Sequence, residues 1–93
     1  MQDKKYYVYI LLTVNNTYYC GYTDDLERRF KLHLSGKGAK YTRANKPLKI
    51  VYSAEFDTKE GAMKEEYRIK NLTKEQKTRL VSDFQNILNS HPQ

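Results

Sequence analysis

Apolar positions change their spacing several times along the chain, and each change marks an element. Tyr6 to Leu12 is dense in aromatic and branched apolar residues and predicts a strand. Asn15-Asn16 is a turn signal, and Thr17 to Tyr22 predicts the returning strand of a hairpin. Thr23-Asp24 offers a helix N-cap, and Glu27 adds an acid near the start of that helix. Leu26, Phe30 and Leu34 then recur every fourth residue, the stripe of an amphipathic helix that Gly36 and Gly38 end. Lys37 to Pro47 predicts a basic loop. Leu48 to Phe56, with Ile50, Val51 and Tyr52, predicts a third strand. Asp57 with Glu60 resembles a capping box for a second helix reaching about Asn71. Thr73 with Gln76 makes another, for a third helix with Leu80, Phe84, Ile87 and Leu88 on one side. The order ββαβαα predicts a small α+β fold, one three-stranded sheet packed by helices. No repeat or Pro/Gly-rich linker divides the chain, so residues 1–93 read as one domain. Its core spans about 5–81, its last helix ends near 89 and a tail covers 90–93.

Composition narrows the class. A chain of 93 residues buries one modest core, and nine tyrosines must fill part of it. One cysteine excludes an intrachain disulfide and a Cys-cluster zinc site. No apolar run approaches the roughly 18 residues of a membrane span, and Met1-Gln2-Asp3-Lys4-Lys5 lacks a signal-peptide core. A soluble cytoplasmic domain with no membrane partner is the expectation. The net charge is +6, but it is unevenly placed. Arg28, Arg29, Lys31, Lys37, Lys40, Arg43, Lys46 and Lys49 fall in one acid-free segment. That block points to a polyphosphate backbone, with a solvated Lys/Arg face as the alternative.

Three groups of residues carry candidate chemistry. On a wheel of the second helix, Glu66 falls about 40° from Ala62, inside the arc of Met63, Ile69 and Leu72. A carboxylate aimed at a core is costly unless a cation or donor meets it; the alternative is a Glu that reaches solvent. Arg29 and His33 stand one turn apart, two cationic or donor groups suited to one phosphate, or plain surface decoration. Tyr6, Tyr7, Tyr9, Tyr18, Tyr19 and Tyr22 crowd one hairpin, where packing explains most of them. A two-histidine zinc site is unsupported, because the other histidine is His91 in the tail. Cys20 reads as an apolar filler.

Together these residues resemble the GIY-YIG nuclease family, in its small stand-alone single-domain bacterial form. Tyr7-Val8-Tyr9 stands where the family has its first signature and Tyr19-Cys20-Gly21 where it has the second. Tyr22 to Phe30 with His33 is similar to the strand-to-helix segment and its Arg-x-x-x-His pair. Lys37-Gly38-Ala39-Lys40-Tyr41-Thr42-Arg43 looks like the subfamily loop, and Ala62 to Lys70 resembles the helix of the metal-binding glutamate, matched by Glu66. Tyr7 replaces the first glycine and Cys20 the middle isoleucine, positions that supply no catalytic side chain.

The resemblance implies metal-dependent phosphodiester hydrolysis of nucleic acid, DNA more than RNA, with low sequence specificity. It implies a role in repair or structure-directed cleavage. Glu66 would bind one Mg²⁺ or Mn²⁺ and Arg29 would stabilise charge on the phosphoryl oxygens. Tyr9 or Tyr19 would orient or deprotonate the attacking water, and His33 would assist. Lys37, Lys40, Arg43 and Lys46 would track the backbone. The chain is expected as a monomer or weak dimer, with a protein partner available for targeting. The rival reading is a non-catalytic nucleic-acid-binding module or partner subunit. A shared site requires Tyr9 and Tyr19 on one sheet face. A two-residue Asn15-Asn16 turn would separate them, so a three- or five-residue loop or a bulge is expected.

Overall fold

A computed structural model describes residues 4–90; the tail with His91 lies outside the described residues. Strand β1 (Tyr6–Thr13) is central, flanked by β2 (Tyr18–Thr23) and β3 (Pro47–Phe56) in an antiparallel sheet of order β2-β1-β3. The four helices are α1 (Leu26–Leu34), α2 (Lys40–Ala44), α3 (Lys59–Lys70) and α4 (Lys74–Ser90). The α+β fold with one three-stranded sheet is as the patterning predicts.

The hairpin loop decides which side chains meet. Thr13 N–H donates to the Thr17 carbonyl, which leaves Val14, Asn15 and Asn16 in a three-residue loop. Asn16 takes the left-handed conformation (φ 59°) that closes such loops. The pairs are therefore Tyr9 with Gly21 and Leu11 with Tyr19. With a side-chain period of two, Tyr9, Leu11, Tyr19 and Gly21 share one face. The predicted parity holds.

The other face carries the main core. Val8, Ile10, Cys20 and Tyr52 pack there against Ala62 and Ile69 of α3, with Leu80, Val81 and Phe84 of α4 alongside. The sheet thus lies between α3/α4 and the α1/α2 pair. Cys20 is the apolar filler expected, and burial pushes its thiol up to about 12. A bulge in β3 offsets Tyr52 and Ile50 against Ile10 and Leu11. The Gln85 side-chain amide of α4 donates to the Val51 carbonyl there, satisfying a group the regular ladder leaves unpaired.

Local signals mostly landed, with shifts of one residue. The α1 cap is Asp25, whose carboxylate accepts from Arg28 N–H, rather than Thr23-Asp24; Thr23 Oγ1 instead accepts from Asp25 N–H. Gly36 (φ 83°) ends α1, with Lys37 N–H on the Leu32 carbonyl and Gly36 N–H on that of His33. The α3 cap is Thr58, not Asp57, because Asp57 pairs with Lys5. Thr73 and Gln76 form a reciprocal capping box at α4. Two expectations need correction. The stretch read as a basic loop contains helix α2, five residues that are too short to show hydrophobic periodicity. Ile87 and Leu88 are exposed, at 57% and 52%, on the last turns of α4 beyond the sheet contact of Gln85.

Candidate active site

The site is built on the face shared by Tyr9 and Tyr19. His33, on α1, is 1% exposed and sits between two hydrogen-bond partners. Its Nδ1 lies 2.7 Å from Thr42 Oγ1 and its Nε2 lies 2.8 Å from the Tyr9 hydroxyl. Thr42 Oγ1 donates to the Ala39 carbonyl at 3.2 Å, so it accepts from His33 Nδ1–H. That leaves Nε2 as an acceptor, and the Tyr9 O–H donates to it. The order Tyr9, His33, Thr42, Ala39 is a directed chain of hydrogen bonds.

Glycines make this packing possible. A Cβ at Gly21 would stand 2.5 Å from the Tyr9 hydroxyl oxygen, and one at Gly38 would stand 2.4 Å from His33 Nδ1. Both side chains lie directly on backbone that no other residue could supply. Gly38 has a second task. Its carbonyl accepts from Arg29 at 2.9 Å, which holds the guanidinium in place. The loop after α1 therefore orients both members of the Arg29/His33 pair.

Electrostatics separates the two tyrosines. Tyr9 is 2% exposed, and burial pushes its phenol up to about 12, against the opposing hydrogen bond and charge of Arg29. It is a protonated donor at neutral pH. Tyr19 is half-buried and packs edge-on to His33, with ring centroids 5.1 Å apart. Tyr19 borders a cleft; Tyr9 lies behind it.

Burial also lowers His33 to about 4, and the Arg29 charge acts in the same direction. His33 is thus neutral at physiological pH, the donor rather than the cation of the two readings, and consistent with Nε2 as an acceptor. The stability consequence has a definite sign. The unfolded chain binds this proton from about pH 6.5 downward and the folded chain only near 4. The His33 contribution is complete above about 6.5 and lost as pH falls toward 4. Urea midpoints measured over that window are expected to fall in the wild type and to fall less in His33→Gln.

Glu66 is placed differently. It lies on α3, across the edge of β2, with its side chain 19% exposed and 3.3 Å from Lys70 Nζ. Its charge acts on Cys20 of β2. The wheel expectation holds in part: the carboxylate is half-buried and met by a cation, at the rim of the core rather than inside it. Neighbouring Glu65 is held by two hydrogen bonds from Arg68. Lys70 lines a cleft of about 250 Å³ together with Tyr18, Tyr19, Tyr41 and Lys77. That cleft links the Glu66 side to the tyrosine side.

Among the described residues no group of three or more His, Cys, Asp or Glu side chains is placed to hold a metal ion. The Glu66 carboxylate is a half-buried acid beside the Lys70 cleft; a hard divalent cation there would displace the Lys70 ammonium and take its remaining ligands from water and phosphate. Lys37, Lys40, Arg43 and Lys46 are all exposed, on or beside α2. Arg28, Arg29, Tyr22 and Lys59 border a second cleft, of about 460 Å³. Sequence reasoning assigned no site role to Thr42, Gly38, Tyr41 or Lys70. The first three lie in the loop that resembles the subfamily's, and Lys70 left only its spacing of four from Glu66.

The profile of the GIY-YIG catalytic domain matches residues 5–79, and the chain belongs to that family, a family of nucleases. It is 45% identical to a UPF0213 protein of Limosilactobacillus reuteri, over 89% of this chain and 88% of that one. It is 37% identical to UPF0213 protein YazA of Bacillus subtilis, over 92% and 87%. The solution NMR structure of a UPF0213 protein from Bacillus halodurans is similar at a TM-score of 0.55, with 49% identity, over 84% of this chain and 83% of that one. That of a protein from E. faecalis is similar at 0.60, with 36% identity, over 100% and 98%. No helix among the described residues is long and apolar enough to cross a membrane.

Proposed function

We propose that this domain is a cytoplasmic, divalent-metal-dependent phosphodiesterase acting on nucleic acid, DNA before RNA, with low sequence specificity. The observation that carries the reading is the ordered pair of Arg29 and His33 beside Tyr9 and Tyr19. A pure binding module has no need of a buried Tyr9–His33–Thr42 chain. Arg29, anchored on the Gly38 carbonyl, offers its remaining N–H groups to a phosphoryl oxygen. Tyr19 presents its hydroxyl at the cleft and orients the attacking water. Tyr9 and His33 hold the ring behind it, and Thr42 sets the His33 tautomer. Glu66 would hold Mg²⁺ or Mn²⁺, which supplies Lewis-acid stabilisation of the phosphate when bound. The exposed lysines and Arg43 on and beside α2 would follow the backbone away from the reacting phosphate. Repair or structure-directed cleavage is the corresponding role. The domain would act as a monomer or weak dimer, with any targeting supplied by a protein partner.

The test is incubation of the purified protein with labelled single-stranded, duplex and branched DNA and with RNA, at low salt. Cleavage with Mg²⁺ or Mn²⁺ that EDTA abolishes is the expected result. Binding without cleavage under every condition would favour the binding-module reading.

A further inference from the structure

We propose that the cleft between α2 and the start of α4 is a stacking site for one unpaired nucleotide, with Tyr41 as its platform. The proposal rests on the nucleic-acid reading above and names the form of substrate it takes. Tyr41 is 40% exposed, on a helix of which only Thr42 is buried. Its ring stacks on Tyr19 with centroids 6.0 Å apart and planes 20° apart. Tyr19 in turn packs edge-on to His33. Tyr41 is therefore a supported ring whose outer side faces the cleft, rather than a mobile side chain.

Chemistry favours a nucleotide as occupant. The cleft has aromatic walls from Tyr18, Tyr19 and Tyr41 and two ammonium groups from Lys70 and Lys77. Stacking on a tyrosine needs a π-face, and Lys77 beside it offers a cation to a phosphate, Lys70 being paired with Glu66; a nucleotide supplies both a π-face and an anion. The cleft, about 250 Å³, is smaller than the roughly 300–1,000 Å³ of pockets that enclose a whole small molecule. That suits one ring laid against Tyr41 while the rest of the strand runs over the basic surface of Lys40 and Arg43. A base inside a duplex has no free face, so the site selects an unpaired one.

Binding measured in EDTA keeps this test independent of cleavage. Fluorescent single-stranded DNA, single-stranded RNA of the same sequence and the matching duplex would be titrated with wild type, Tyr41→Phe, Tyr41→Leu and Lys77→Ala. Tyr41→Leu is expected to weaken binding of at least one single strand about tenfold, the effect of losing one stacked base. Tyr41→Phe should stay within about twofold, and duplex binding should change little. Lys77→Ala should reduce the salt slope for the same single strand by about 0.7. Which strand responds identifies the sugar. Unchanged binding of both single strands to Tyr41→Leu would overturn the proposal, as would an equal loss on duplex. Either result leaves EDTA-sensitive cleavage, and so the nuclease reading, standing on its own assay. Circular dichroism melts confirm that each variant is folded.

Discussion

Replacing Glu66 by alanine is expected to lower metal-dependent cleavage by about 10³-fold or more while leaving the fold intact. The size follows from the role: a carboxylate that holds a Lewis-acid cation accounts for several kcal/mol of transition-state stabilisation. The small stability effect follows from position. The Glu66–Lys70 pair is an i,i+4 contact with the Lys70 side chain half exposed, and such pairs contribute at most about 1 kcal/mol. Glu65→Ala is the control on the same helix. It breaks the bidentate contact with Arg68 but is expected to retain activity within a few-fold. Single-turnover cleavage and thermal melts of the two variants decide the matter. Loss in Glu65→Ala with retention in Glu66→Ala would move the metal to the neighbouring carboxylate.

The second large effect separates the two tyrosines. Tyr19→Phe is expected to lower the cleavage rate by about 10²–10⁴-fold, the usual contribution of a positioned proton-transfer group. Its stability should change little, because Tyr19 is half-buried at the rim of the cleft. Tyr9→Phe should do the reverse. Removing that hydroxyl leaves His33 Nε2 without its donor in a buried place, at a cost of about 1–3 kcal/mol. The rate should fall only about tenfold, through looser positioning of Tyr19. Unfolding midpoints read beside single-turnover rates distinguish the cases. A rate collapse in Tyr9→Phe with normal activity in Tyr19→Phe would make Tyr9 the group at the substrate.

The two glutamates and two tyrosines also show how far the sequence reached. Strand and helix periodicity located the elements because each buries one face, and that requirement repeats locally. The turn parity came from the family resemblance, since the Asn15-Asn16 signal alone allows a two-residue turn of the wrong parity. Tyr9 and Tyr19 can share a face only with an odd loop, and Asn16 accepts the left-handed conformation such a loop needs. The capping residues slipped by one at α1 and α3, where adjacent side chains compete for the same amide and tertiary partners decide between them.

The hairpin, the helical stripes and the basic segment were legible in the sequence alone, because each rests on residue type and spacing within a few positions of chain. Tyr9, Tyr19, Arg29, His33 and Glu66 stood out as a set only through the resemblance to the GIY-YIG family. Tertiary structure decided what those residues touch. Thr42 is an uncharged hydroxyl in the loop that resembles the subfamily's, and its type does not name its partner. It matters because α2, nine residues after His33, folds back on the imidazole. Gly38 matters because backbone must pass where a Cβ would collide with that ring. The burial that lowers His33 and raises Tyr9 comes from α1 closing over the sheet, and desolvation belongs to a packed neighbourhood rather than to a stretch of sequence.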